Sequence, residues 1–153
     1  MDDVLIGASA ASPNGTNSGA SYVVFGQKTP PVPPVTCNGR PATIVGTNNS
    51  ETIIGTLGPD VIVARGGNDT VYGRAGNDVI CGNTGNDRLF GDQGNDHLDG
   101  GNGKDTLKGG RGNDRLFGKT GPDAMDGQSG NDFCNGDIGI DTAIRCEQTR
   151  GVP

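Results

Sequence analysis

Tryptophan is absent from this 153-residue chain, aromatic residues amount to 4%, and Leu, Ile, Val and Phe together number 30. So small an apolar stock excludes the thick core of a large enzyme. No stretch approaches the roughly 18 consecutive apolar residues of a transmembrane helix, so no membrane span is expected. Met1-Asp2-Asp3 carries the wrong charge for the start of a signal peptide. Basic residues are outnumbered, 12 against 18, leaving a formal net charge of −6. A nucleic-acid partner is therefore excluded, because phosphate binding draws on clustered Lys and Arg. Arg65, Arg74, Arg88, Arg111 and Arg115 do not fall in one column and read as a balance to the acidic residues. His97 is the sole histidine and follows Asp96 at an outward strand position, where it reads as a solvated residue rather than a base. No HExxH, GxSxG or Walker-type motif is present. The chain is read as a non-enzyme.

Glycine, by contrast, is abundant: 29 Gly and 9 Pro make up a quarter of the chain. Without a period that composition reads as disorder, but here there is a period of nine. Asp recurs without a slip at Asp60, Asp69, Asp78, Asp87, Asp96, Asp105, Asp114, Asp123, Asp132 and Asp141. Two residues before each stands a Gly, from Gly58 to Gly139. Five residues before each stands another, with Ala64 as the exception. Two residues after each comes Ile62, Val71, Ile80, Leu89, Leu98, Leu107, Leu116, Met125, Cys134 or Ala143. Gly tolerates positive φ and close backbone approach, so its two positions mark a tight loop of about six residues, and the remaining three form a strand. Only the middle side chain of such a strand faces inward.

One short unit cannot bury its apolar face alone, so the units must stack, most simply with two loops and two strands in each 18-residue turn. The expected fold is all-β, a two-sheet parallel solenoid. One interior column is Ile44, Ile62, Ile80, Leu98, Leu116 and Cys134; the other is Ile53, Val71, Leu89, Leu107, Met125 and Ala143. Ile44 and Ile53 keep the spacing although Ala42 and Glu51 replace Asp, so these turns read as caps, as does Thr142 to Glu147 at the far end.

Stacking at about 4.8 Å lines the Asp residues into two self-repelling ladders, Asp60, Asp78, Asp96, Asp114 and Asp132 on one side, Asp69, Asp87, Asp105, Asp123 and Asp141 on the other. A hard dication between successive loops reverses the repulsion, and carboxylates with loop carbonyls supply the six to eight oxygen ligands that Ca²⁺ prefers over the stricter octahedron of Mg²⁺. Four gaps per side admit about eight ions. In the alternative reading these Asp side chains only cap loops by hydrogen bonds.

Gly67-Asn68-Asp69-Thr70-Val71-Tyr72-Gly73 and Gly112-Asn113-Asp114-Arg115-Leu116-Phe117-Gly118 resemble RTX (hemolysin-type calcium-binding) nonapeptide repeats, over about residues 46 to 144. The resemblance implies a right-handed parallel β-roll whose repeat Asp residues and loop carbonyls bind Ca²⁺, with folding coupled to the ion outside the cell. The chain departs from the motif at its second position, which is Gly only at Gly101 and Gly110, and at Pro59, Lys104, Pro122 and Ile140 before the Asp.

At the front, Asp3-Val4-Leu5-Ile6-Gly7-Ala8 and Gly19-Ala20-Ser21-Tyr22-Val23-Val24-Phe25-Gly26 read as a hairpin and resemble an FG-GAP repeat, the blade unit of integrin-α-like propellers. The chain then reads as a fragment of a longer surface protein. Thr29-Pro30-Pro31-Val32-Pro33-Pro34-Val35 is an extended linker. The expected organisation is 1–27 for the partial FG-GAP-like hairpin, 28–36 for the linker, 37–148 for the calcium-binding roll and 149–153 for a tail.

Four Cys allow three pairings. Cys81 and Cys134 lie nearly three turns apart, about 14 Å, beyond the ~7 Å Cα limit of a disulfide. Cys134 and Cys146 fall within one turn and can staple the C-terminal cap, which leaves Cys37 for Cys81. That second pair requires the segment around Cys37 to fold back along the outside of the roll. Stapled ends imply an oxidising compartment, so the expected setting is extracellular, secreted or at the cell surface. A zinc site is the weaker reading of the cysteines, since no C-x-x-C or His pair accompanies them. The expected function is calcium binding by a monomer, with Ca²⁺ as partner and folding cofactor. The alternative is an adhesion module whose roll is a rigid spacer and whose faces meet a cell-surface or glycan ligand.

Overall fold

The computed structural model describes residues 33–152. The chain divides at residue 33, and the unit that begins at residue 34 holds every strand described below. The hairpin with its FG-GAP resemblance, and the linker up to residue 32, lie outside the described residues.

A short antiparallel hairpin of β1 (Thr36–Cys37) and β2 (Arg40–Pro41) comes first. The strands then alternate between two parallel sheets: β3 (Ile44–Val45), β4 (Thr52–Ile54), β5 (Val61–Val63), β6 (Thr70–Tyr72), β7 (Val79–Thr84), β8 (Arg88–Gln93), β9 (His97–Asn102), β10 (Thr106–Arg111), β11 (Arg115–Thr120), β12 (Ala124–Ser129), β13 (Phe133–Ile138), β14 (Thr142–Ile144) and β15 (Gln148–Arg150). Odd-numbered strands from β3 to β15 form a seven-stranded sheet in sequential order, and even-numbered strands from β4 to β14 a six-stranded one. The result is a β-solenoid of about six turns, with no helix among the described residues.

Partners along each sheet are 18 residues apart, except between β13 and β15 in the last turn, as in Ile80↔Leu98↔Leu116↔Cys134 and Val71↔Leu89↔Leu107↔Met125. Both interior columns therefore form as the period requires. Ile62, Val71, Ile80, Leu89, Leu98, Leu107 and Leu116 are wholly buried, while Ile44 and Ala143, each next to an open end, are only partly covered. Each buried Leu contributes roughly 1.5–3 kcal/mol by leaving water.

The strands are longer than expected in the middle of the roll. From β7 to β13 each runs six residues, not three. The pairing resumes beyond the glycine bend, as in Asn83↔Gly101↔Lys119↔Asp137, because identical stacked turns keep offering backbone donors and acceptors to each other. The bend itself sets a left-handed conformation at the second motif position. Arg65, Arg74, Asn83, Asp92, Lys119, Gln128 and Asp137 adopt it at φ of 62 to 79° although they are not Gly. Gly85 shows why the other glycines are needed: its φ is +133°, and a methyl there would collide with the carbonyl oxygen of Gly67 one turn earlier.

Both disulfides join the expected partners, with Cα separations of 5.8 Å for Cys37–Cys81 and 6.0 Å for Cys134–Cys146. The fold-back required of Cys37 is made by the β1–β2 hairpin. Val35, Cys37 and Ala42 pack on Val61, Val63, Val79 and Cys81, a second apolar cluster on the outside of the seven-stranded sheet.

Candidate metal centre

Each repeat Asp directly precedes a strand, at the end of the tight loop, so its side chain is placed where the loop meets the sheet. All ten are 6% exposed or less. The two carboxylate oxygens do different work. Oδ1 accepts a hydrogen bond from the backbone N–H of the acidic residue one turn earlier: Asp60 N–H donates to Asp78, Asp69 to Asp87, Asp78 to Asp96, Asp87 to Asp105, Asp96 to Asp114, Asp105 to Asp123, Asp114 to Asp132 and Asp123 to Asp141, each at 2.8 Å. The cap residues complete the chains: Glu51 N–H donates to Asp69, and Asp132 N–H donates to Glu147. Hydrogen-bond capping thus accounts for one oxygen of each carboxylate from Asp69 to Asp141.

The second oxygen is different. Oδ2 of Asp69, Asp78, Asp87, Asp96, Asp105, Asp114, Asp123, Asp132 and Asp141 is buried with no hydrogen-bond partner. Asp60 departs from this pattern, since its Oδ2 accepts from the Thr56 N–H at 2.7 Å and hydroxyl at 2.9 Å. An orphaned buried carboxylate oxygen is expensive, and nine in register call for a cation.

What surrounds these oxygens has the chemistry of a hard-cation site. A methyl built on Gly73 would stand 2.5 Å from Asp78 Oδ2 and 2.9 Å from the carbonyl oxygen of Gly91; one on Gly100 would stand 2.6 Å from Asp105 Oδ2 and 2.9 Å from that of Gly118. Missing side chains therefore leave cradles lined by one carboxylate oxygen and one backbone carbonyl, both hard donors. Glu51 enters the same arrangement: a methyl on Gly46 would lie 2.5 Å from its Oε1 and 2.6 Å from the Ala64 carbonyl oxygen. Ala64, the exception in the glycine column, places a real Cβ at the position that Gly holds before every other repeat Asp, here before Asp69. No group of three or more His, Cys, Asp or Glu side chains converges among the described residues, so any ion held here draws on backbone oxygens as well.

Burial raises the affinity of these carboxylates for protons. Asp96 and Asp105 are pushed up to about 7, and Asp78, Asp114 and Asp123 to about 6, by loss of water. The backbone N–H bonds oppose the shift, and neighbouring ladder carboxylates add to it.

A second ladder escaped the sequence reading. Asn68, Asn77, Asn86, Asn95 and Asn113 each accept, through Oδ1, the backbone N–H one turn later, from Asn86, Asn95, Lys104, Asn113 and Asn131. Its signal was available, since Asn precedes Asp in most repeats. The same bond explains an irregularity: Pro122 lacks an N–H, and Lys104, the residue one turn before it, lacks an acceptor.

His97 is on an outward strand position as expected, but it is half-buried, with its ring 4.8 Å from Phe117 and Phe117 5.8 Å from Phe133. Burial, and then the Arg115, Lys119 and Arg40 cations, lower its pKa. The five arginines form no ion pair among the described residues; the pairs present join Lys119 to Asp99 and Asp137, and Arg145 to Asp126.

A turn of about 18 residues, with a buried carboxylate in each half-turn and a glycine opposite it in all but the Ala64 one, defines a parallel β-roll repeat protein. The chain belongs to the RTX calcium-binding nonapeptide repeat family, whose four-copy repeat matches residues 45–80, 82–116 and 108–143. No curated protein and no solved structure matched the chain. No comparison supports the FG-GAP resemblance.

Proposed function

We propose that this roll is a non-catalytic calcium-binding module whose folding is coupled to the ion, with Asp60, Asp69, Asp78, Asp87, Asp96, Asp105, Asp114, Asp123, Asp132 and Asp141 as the carboxylate ligands. The observation that carries the proposal is the set of nine partnerless, buried Oδ2 atoms. When bound, Ca²⁺ supplies the positive charge that these oxygens lack. Asp Oδ1 holds the neighbouring turn in register through its backbone bond. Oδ2 and the glycine-loop carbonyls face the cradle. Family membership supports calcium as the cation, and the need for six to eight oxygen donors at adaptable geometry disfavours Mg²⁺. Without the ion, glycine entropy and ladder repulsion oppose a thin core, so binding free energy becomes folding free energy. The two disulfides support an oxidising, extracellular setting. Residues 37–148 are proposed as the core of the working unit after the linker that begins at 28; the expected boundaries at 36 and 149 shift outward, because Thr36 belongs to β1 and residues 149–150 belong to β15, which pairs with β13, rather than to a tail.

The test is far-UV circular dichroism during a Ca²⁺ titration of the metal-stripped chain at pH 7.5, with Mg²⁺ as control. The expected outcome is a steep coil-to-β transition with Ca²⁺ alone. An unchanged β spectrum from the start sinks the coupled-folding proposal.

A further inference from the structure

The repeat period ends before the roll does. The family match stops at residue 143, and an Asp nine residues beyond Asp141 would stand at position 150, which is Arg150. In the last turn the stacking offset falls from 18 residues to 15: Phe133 pairs with Gln148, Cys134 with Thr149 and Asn135 with Arg150. Arg145 is still in the regular register, since its carbonyl oxygen faces Gly127 on the preceding turn. The contraction therefore falls between Arg145 and Glu147. Cys146 is at its centre, bonded to Cys134 on the preceding turn. Arg145 is tied to the same turn by its guanidinium on the Asp126 carboxylate.

The shortened turn lands its acceptors where the ladder needs them. Glu147 Oε2 accepts the Asp132 N–H, taking the place that a repeat Asp would occupy at 150. A methyl on Gly127 would stand 2.6 Å from Asp132 Oδ2 and collide with the Arg145 carbonyl oxygen. One on Gly136 would stand 2.6 Å from the Gly151 carbonyl oxygen and collide with Asp141 Oδ2. These are the pairings seen at Gly73 and Gly100 inside the roll. Asp132 and Asp141 are each 1% exposed, and each Oδ2 is without a partner.

We infer that residues 145–151, held in register by the Cys134–Cys146 disulfide and the Arg145–Asp126 ion pair, complete two terminal sites for a hard divalent cation at Asp132 and Asp141. The inference rests on the calcium reading of the ladders and adds two ions to the eight that the gaps between repeat loops admit. Cys146 and Arg145 act as positioning residues: their side chains touch no ion, but they set where the Arg145 and Gly151 carbonyls and the Glu147 carboxylate stand.

The experiment counts Ca²⁺ per full-length oxidised chain by equilibrium dialysis, with circular dichroism in saturating Ca²⁺ to verify the fold of every variant. Asp132→Asn and Asp141→Asn are each expected to lose one ion, as is the interior control Asp96→Asn. The double variant Cys134→Ser/Cys146→Ser is expected to keep the interior sites and weaken the two terminal ones about tenfold. Arg145→Ala, a gentler change that leaves the disulfide intact, weakens the same two sites a few-fold. Loss of an ion in Asp96→Asn but in neither terminal variant overturns the inference and leaves the ladder reading standing. Unchanged stoichiometry in all three Asp variants overturns the ladder reading itself. Terminal affinities unaffected by both the Cys and Arg145 changes overturn the positioning role.

Discussion

The apolar columns and the Asp ladders follow one plan with opposite energetics. Both place one side chain per half-turn, stack like on like from turn to turn, and exclude water: Leu89 and Leu98 are 0% exposed, Asp87 1% and Asp105 0%. Leucine on leucine is self-satisfying, because dispersion and the hydrophobic effect are indifferent to identity. Carboxylate on carboxylate is satisfied only halfway. From Asp69 to Asp141, Oδ1 finds a backbone N–H, while Oδ2 finds no partner among the described residues. Periodicity alone therefore stabilises the strands and leaves one buried carboxylate oxygen per half-turn, from Asp69 onward, without a hydrogen-bond partner.

Several measurements sharpen that contrast. The largest effect expected after calcium withdrawal is that of pH, because five ladder carboxylates respond together. Asp96 and Asp105 titrate near 7 and Asp78, Asp114 and Asp123 near 6 in the folded chain, above the usual Asp value of 3.8. A raised folded pKa adds stability that is present at low pH and lost as pH rises through it. The metal-free roll should accordingly gain β-structure as pH falls from 8 to 5, and calcium affinity should fall over the same window, both followed by circular dichroism and dialysis. β-content independent of pH in EDTA contradicts it.

Leu98→Ala breaks the other side of the comparison. It should cost about 2–5 kcal/mol in the calcium-saturated protein, read from denaturant unfolding, with the number of bound ions unchanged. Asp96→Asn should act with opposite signs in the two states. It removes a buried charge whose Oδ2 has no hydrogen-bond partner, so the metal-free chain gains about 1 kcal/mol, while the calcium-loaded chain loses a ligand and is destabilised. Destabilisation in both states places the Asp96 carboxylate among hydrogen-bonded caps. Lys119→Ala is expected to matter least. Its pairs with Asp99 and Asp137, at 3.7 and 3.6 Å, are partly solvent-exposed, so stability should change by less than about 1 kcal/mol.

Much of this was legible in the sequence because a solenoid is nearly one-dimensional: each turn touches chiefly the turn before and the turn after, so spacing in sequence is contact in space. That logic yields both interior columns, the ladders and the disulfide partners. It loses force wherever a contact is not periodic. The β1–β2 hairpin covers Val61, Val63, Val79 and Cys81 by leaving the period altogether. Thr56 satisfies Asp60 through a local pair of bonds that spacing does not distinguish from the other loops. Six-residue strands arise because pairing continues past the bend, which hydrogen-bond geometry decides.

The sequence by itself determined the period, the parallel two-sheet architecture and which carboxylates meet in ladders, because repetition leaves one register in which the apolar residue two places after each Asp is inward. Only the tertiary structure decided how each carboxylate divides its two oxygens, and that Glu147, ahead of its place in the period, stands where an Asp would. The first outcome follows from hydrogen-bond geometry between stacked turns, and the second from where a non-repeating turn is pinned by Cys146 and Arg145, a matter of closure in space that a linear spacing does not contain.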